Sequence, residues 1–236
     1  MKQYIFTSVL LMASSLLMAS THAETRFKKA SQTSDTRTVL LADDFENGIS
    51  LQVQKLLNCS DPSKQAGISI SSETKASGSN SLKISNSPTV QHAFMPALSQ
   101  WFKGPELLKS GTLTVSFDIY IPKESPTIIS LEARDYSVNP STNHFKAVIT
   151  PIGFRLGDIS KGFTPGKWIH FEYKIPINKA NQNIICTATE EIGPAKIISI
   201  PTKSGQNLSW LGIMLLQKNK SFAYMDNLVI TVDKTL

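Results

Sequence analysis

The chain is 236 residues long and carries 24 Lys and Arg against 18 Asp and Glu, a formal net charge of +6. The charge is spread thinly, with Lys28-Lys29 the one adjacent basic pair, so a nucleic-acid-binding role has no basic block to rest on. Two cysteines exclude a disulfide-rich scaffold, and the length suits one domain with a full core.

In chain order, the first element is an export signal. Lys2 precedes a mainly apolar run from Tyr4 to Met18, and Thr21-His22-Ala23 ends it with small residues. This pattern predicts a signal peptide over residues 1–23, cleaved after Ala23, and hence a periplasmic or extracellular protein. The run is about 15 residues, short of the roughly 20 that span a bilayer, and no later stretch reaches that length. Glu24 to Arg37 is polar and aperiodic and is read as a flexible leader, which places the folded domain at 38–236.

From there short strands alternate with turn residues. Val39–Phe45, Gly67–Ser72 and Ser81–Ser85 come first. Thr112–Ile121 has period two, with Leu113, Val115, Phe117, Ile119 and Ile121 on one face. Thr127–Tyr136 sets Ile129, Leu131 and Ala133 against Ser130, Glu132 and Arg134. His144–Thr150 and Gly153–Leu156 form a hairpin turned at Pro151-Ile152-Gly153. Trp168–Ile175, Leu211–Gln217 and Phe222–Val232 follow. Pro105–Lys109 suits a single helical turn, and Cys186–Ile200 reads as a strand and loop or as an insertion. The expected fold class is all-β, an antiparallel β-sandwich. For Cys59 and Cys186 two readings stay open: one disulfide in an oxidising compartment, or two separate thiols.

The polar faces of the middle strands hold the candidate binding residues. By alternation Glu132, Arg134 and Tyr136 share one face, His144 and Lys146 share the next, and Asp118 with Tyr120 and His170 with Glu172 do likewise. Such a lining suits an acidic polysaccharide through charge-assisted hydrogen bonds, or is the solvated face of a half-exposed sheet. Trp101 lies in Ser99-Gln100-Trp101-Phe102-Lys103-Gly104-Pro105, read as a loop, where a ring can cover a sugar. Trp168 and Trp210 stand at strand starts and are assigned to packing. No Gly-x-Ser-x-Gly elbow, phosphate-binding Gly-rich loop or His-Glu-x-x-His motif is present.

The order of motifs resembles the jelly-roll β-sandwich modules, of carbohydrate-binding and concanavalin-like type, found in secreted bacterial proteins and glycan-degrading enzymes. The likeness is carried by Asp43-Asp44-Phe45-Glu46-Asn47-Gly48, Ala76-Ser77-Gly78-Ser79-Asn80-Ser81-Leu82-Lys83-Ile84, Val115-Ser116-Phe117-Asp118-Ile119-Tyr120, Gly166-Lys167-Trp168-Ile169-His170-Phe171-Glu172 and Tyr224-Met225-Asp226-Asn227-Leu228. It implies that the opening and closing strands lie side by side. It also implies a structural Ca²⁺ there, held by Glu46 and Asp226 with carbonyls from Lys75–Asn80. For a jelly-roll polysaccharide lyase, the resemblance would give Arg134 the uronate carboxylate and His144, Tyr136 and Tyr120 the proton transfers. The paired-carboxylate strand Glu-x-Asp-x-x-Glu of jelly-roll glycoside hydrolases is absent.

The sequence is therefore read first as a non-catalytic glycan-binding protein whose partner is a polysaccharide or oligosaccharide, with neither nucleic acid nor a membrane span. A lyase or hydrolase of the same fold is the alternative. A structural or adhesive envelope protein is a further one.

Overall fold

The computed structural model describes residues 37–202 and 206–233. The expected signal peptide and the leader up to residue 36 lie outside the described residues. Among the described residues no helix is long and apolar enough to cross a membrane.

Among the described residues fifteen strands form two antiparallel sheets. The first sheet contains β1 (Arg37–Asp43), β3 (Gly67–Ser71), β4 (Ser81–Asn86), β6 (Gly111–Tyr120), β11 (Trp168–Ile177), β12 (Asn183–Glu190), β13 (Lys196–Pro201) and β15 (Ser221–Asp233). Its order is β13-β12-β11-β6-β15-β4-β3, with β1 also paired to β15. The second sheet contains β2 (Leu57–Asn58), β5 (Ala97–Trp101), β7 (Ile128–Asp135), β8 (Thr142–Thr150), β9 (Gly153–Leu156), β10 (Ile159–Gly162) and β14 (Trp210–Leu216). Its order is β10-β9-β8-β7-β14-β5-β2. One helical turn, Leu51–Gln54, follows β1, and a 3₁₀ turn at Gly104–Glu106 overlaps the expected Pro105–Lys109 turn only at Pro105 and Glu106.

Alternation explains the sandwich. On β6, Leu113, Val115, Phe117 and Ile119 are buried, as are Ile169, Phe171, Tyr173 and Ile175 on β11 and Ile129, Leu131 and Ala133 on β7. With period two these side chains all leave one face of each sheet, and burying both faces against each other forms a single core. The first and last strands are neighbours, Asp43 opposite Leu228, as the resemblance implies.

Several strands were not legible. Ser99–Trp101, part of the Ser99–Pro105 stretch read as loop, ends the strand β5 paired to β14, because cross-strand pairing rather than local pattern decides so short an element. The ambiguous Cys186–Ile200 stretch is two strands, β12 and β13, joined by a short turn. These bury Ile184, Cys186, Ala188 and Ile198 while exposing Ile185 and Ile197.

The disulfide alternative is not realised. Cys59 is an exposed free thiol just after β2, and Cys186 is a buried free thiol on β12 of the opposite sheet. Burial pushes the Cys186 thiol up to about 12.

Candidate functional site

The strongest constellation lies on the outer face of the second sheet. It is built where β5, β14 and β7 pair in register, with Trp210 opposite both Trp101 and Arg134. The row Trp101–Trp210–Arg134 therefore crosses three adjacent strands on one face. Tyr136, just beyond β7, joins it: its ring centroid is 5.2 Å from that of Trp101 and 6.2 Å from that of Trp210. Its backbone N–H donates to Ser209 Oγ at 2.6 Å, which fixes it there.

Gly212 makes room for the Trp210 ring. It is two residues along β14 on the same face, and a Cβ there would fall within the indole. The ring instead lies over the sheet and packs with Ala97, Met214 and Leu216, an apolar floor separate from the main core. Trp101 is 43% exposed, whereas Trp210 is 8% exposed.

Beside this floor sits a charged cluster. Glu132 is 2% exposed, and its carboxylate accepts hydrogen bonds from Ser130 Oγ at 3.0 Å and from Arg134 Nε at 3.0 Å. Arg134 Nη2 also donates to it, and Lys146 Nζ reaches its other oxygen at 3.0 Å. Burial opposes ionisation of Glu132. The bonds from Arg134, Lys146 and Ser130 outweigh it and hold the carboxyl below the usual range. Arg134 is pulled the other way by partial burial, yet its bonds to Glu132 and Tyr136 raise its already high pKa further. Its Nη1 donates to Tyr136 Oη at 2.9 Å, and its guanidinium carbon stands 5.4 Å from the Trp210 ring centroid. Lys103 Nζ lies 4.6 Å from the Trp101 ring centroid.

These groups line a cleft of about 530 Å³, bounded by Phe94, Glu132, Arg134, Tyr136, Lys146 and Trp210. A smaller cleft of about 270 Å³ between Trp101, Lys103 and Tyr136 adjoins it. Two rings, two cations above one carboxylate and an apolar floor thus meet on one open surface.

The alternation brought Glu132, Arg134, Tyr136 and Lys146 together as expected, but not the other two candidates. A register shift between Ala133 and Arg134 gives β8 an extra residue. His144 occupies that irregular stretch, is buried, and its Nε2 meets the backbone oxygen of Asn207, so it does not share the Lys146 cleft. Tyr120 lies on β6 in the other sheet, 5.7 Å from Trp168 and 6.1 Å from Tyr224 between ring centroids. The proton-transfer set of Arg134, Tyr136, His144 and Tyr120 is therefore not assembled: Tyr136 alone touches Arg134. His170 pairs with Asp118 at 2.8 Å, also on the first sheet.

Trp210 packs as assigned, against Ala97 and Met214, and its ring also lines the cleft. Trp-x-Gly on a strand is the signal that marks it, since the glycine leaves space for the ring on the same face. Phe94 and Lys103 carried no periodic signal.

Glu46 and Asp226 do converge on the loop the resemblance names. The groups they meet are N–H donors. Ser79 and Asn80 N–H donate to Glu46 at 2.9 Å, and Ala76 and Ser77 N–H donate to Asp226 at 3.0 and 3.2 Å. The Asn227 N–H reaches the second Asp226 oxygen at 2.8 Å. Ca²⁺ takes six to eight oxygen ligands. Here the carboxylate oxygens named face backbone N–H groups. In this arrangement the carboxylates accept loop N–H bonds and so anchor the loop, and the calcium expectation is a matter for chelation.

No protein-family model and no curated protein sequence matches the chain. Solved structures do match in fold. The endo-β-1,4-glucuronan lyase of the fungus Trichoderma reesei aligns with a TM-score of 0.56 at 9% identity, covering 82% of this chain and 95% of that one. The conserved carbohydrate esterase of the Shiga toxin-encoding bacteriophage phi24B gives 0.55 at 12% identity, covering 84% and 100%. A GH131 β-glucanase catalytic domain from Podospora anserina gives 0.54 at 13% identity, covering 84% and 97%. The chain is a jelly-roll β-sandwich. At these identities the likeness concerns the fold alone.

Proposed function

We propose that the protein binds a glycan on the outer face of its second sheet and does not alter it. The observation that carries this reading is the packing of Trp101 and Trp210 around Tyr136 across two adjoining clefts, the larger of which also holds Arg134 and Lys146. A pyranose presents an apolar face, which a ring covers, and rim hydroxyls or carboxylates, which charged donors bind. With two cations over one carboxylate the cleft favours an acidic sugar. The three fold neighbours named above act on carbohydrates by their descriptions, and an exported protein would meet such chains.

Retention of the mature chain on immobilised neutral and acidic polysaccharides tests the reading. Wild-type protein is expected to be retained on acidic chains. Trp101→Ala should weaken binding by about tenfold or more, the loss expected of an aromatic anchor, with little change in melting because the ring is half exposed. No retention on any glycan would refute the reading. Ultraviolet absorbance from unsaturated products, abolished by Tyr136→Phe, would replace it with the lyase alternative.

A further inference from the structure

The Trp101 cleft occupies one part of a longer surface. A second cleft of about 480 Å³ opens on the same sheet over β8, β9 and β10, lined among others by Val148, Thr150, Gly153, Arg155 and Gly162. Register places it on the same face. Lys146 pairs with Glu132, and Val148, two residues along on that face, pairs with both Ser130 and Arg155. Arg134 on β7, Lys146 on β8 and Arg155 on β9 therefore descend obliquely. Each is one strand over and two residues along from the last, a diagonal step of about 7–8 Å. Upstream, Trp101, Trp210 and Arg134 form a straight cross-strand row. Adding two strand spacings of about 4.8 Å to the two diagonal steps gives a track of roughly 25 Å.

The charges along this track are one-sided. Glu132 is the one carboxylate among the residues lining the two clefts, and it is covered by Arg134 and Lys146. Arg155 makes no ion pair or side-chain hydrogen bond among the described residues. The first sheet contrasts with this: Lys83 pairs with Glu73, His170 with Asp118, Lys174 with Glu172 and Lys196 with Glu190. Glycines shape the second cleft. Gly153 pairs with both Thr150 and Gly162, so two neighbouring positions in that row carry no side chain.

We propose that the ligand is an extended polyanionic glycan lying along this track, with its first sugars on Trp101 and Trp210 and its later acidic groups over Lys146 and Arg155. The proposal rests on the glycan reading of the Trp101 cleft and deepens it: the site takes an internal stretch of several acidic sugars, not a single sugar or a chain end. Regular anionic groups match cations repeated at regular steps, and each added contact acts at high effective concentration once the first sugars are held.

The test is a size series of oligouronates titrated into the wild type, Arg155→Ser and Gly162→Val. A Cβ at Gly162 would meet only the Ile152 carbonyl oxygen, at an ordinary 3.5 Å, so valine fills the cleft without strain at its base. Wild-type affinity is expected to rise about tenfold or more as the oligomer grows long enough to span the track. Both variants should bind short oligomers as the wild type does and lose the gain with length. Arg155→Ser should also flatten the salt dependence for long oligomers. Affinity independent of length, or variants equal to wild type on long oligomers, would overturn the track while leaving the Trp101 cleft as the site. Equal length dependence with single-stranded DNA would reassign the track to another polyanion. If no oligomer of any length binds the wild type, the glycan reading itself fails.

Discussion

Replacing Glu132 with glutamine tests the electrostatic logic of the cleft. Removing one member of a buried, hydrogen-bonded charge pair costs about 3–5 kcal/mol, because the partner charge is left uncompensated. Here the partners can recover water: the Arg134 and Lys146 side chains are 31% and 47% exposed. The glutamine oxygen also still accepts one bond, so the expected loss for Glu132→Gln is smaller, about 2 kcal/mol at neutral pH. For a domain of this size that corresponds to a melting temperature lower by about 4–8 °C. The pH dependence gives a second readout. The folded Glu132 pKa is depressed, so its contribution is full above the unfolded value of about 4.3 and is lost as pH falls through the lower folded value. The gap between wild type and variant should therefore be wide at neutral pH and close in acid. Urea unfolding at a series of pH values, followed by tryptophan fluorescence, measures both. A variant as stable as wild type at neutral pH, or a gap that does not change with pH, would refute the reasoning.

Three further outcomes are expected. Gly212→Ala should lift the Trp210 indole off the sheet and cost more in glycan affinity, measured by calorimetric titration, than its effect on folding accounts for. A thiol reagent should titrate about one cysteine per native chain, Cys59, and both after denaturation, because the Cys186 thiol is buried and pushed up to about 12. A strong chelator should leave the melting temperature of the protein unchanged, since Glu46 and Asp226 accept backbone N–H bonds; a fall would support the calcium expectation.

The legible parts of this protein are those governed by local periodicity. Ten residues of strict alternation on β6, and similar runs on β7 and β11, could bury their apolar set only as strands. The same alternation set Glu132, Arg134 and Tyr136 on one face. It failed at His144, where an irregular register broke the period, and at Tyr120, which alternation placed on an outer face without saying of which sheet. Strand parity carries no information about sheet membership, because strands distant in the chain become neighbours only through pairing.

The sequence by itself therefore determined the all-β class, the inward faces of the principal strands and the charged character of β7. Those follow from side-chain period and hydrophobicity, which are local. Tertiary structure alone decided that Trp101, Trp210 and Arg134 form one row, that Glu132 is buried beneath two cations, and that Glu46 and Asp226 meet N–H donors. Each depends on which strand or loop lies alongside, and that choice is made by core burial and backbone pairing across residues far apart in the chain.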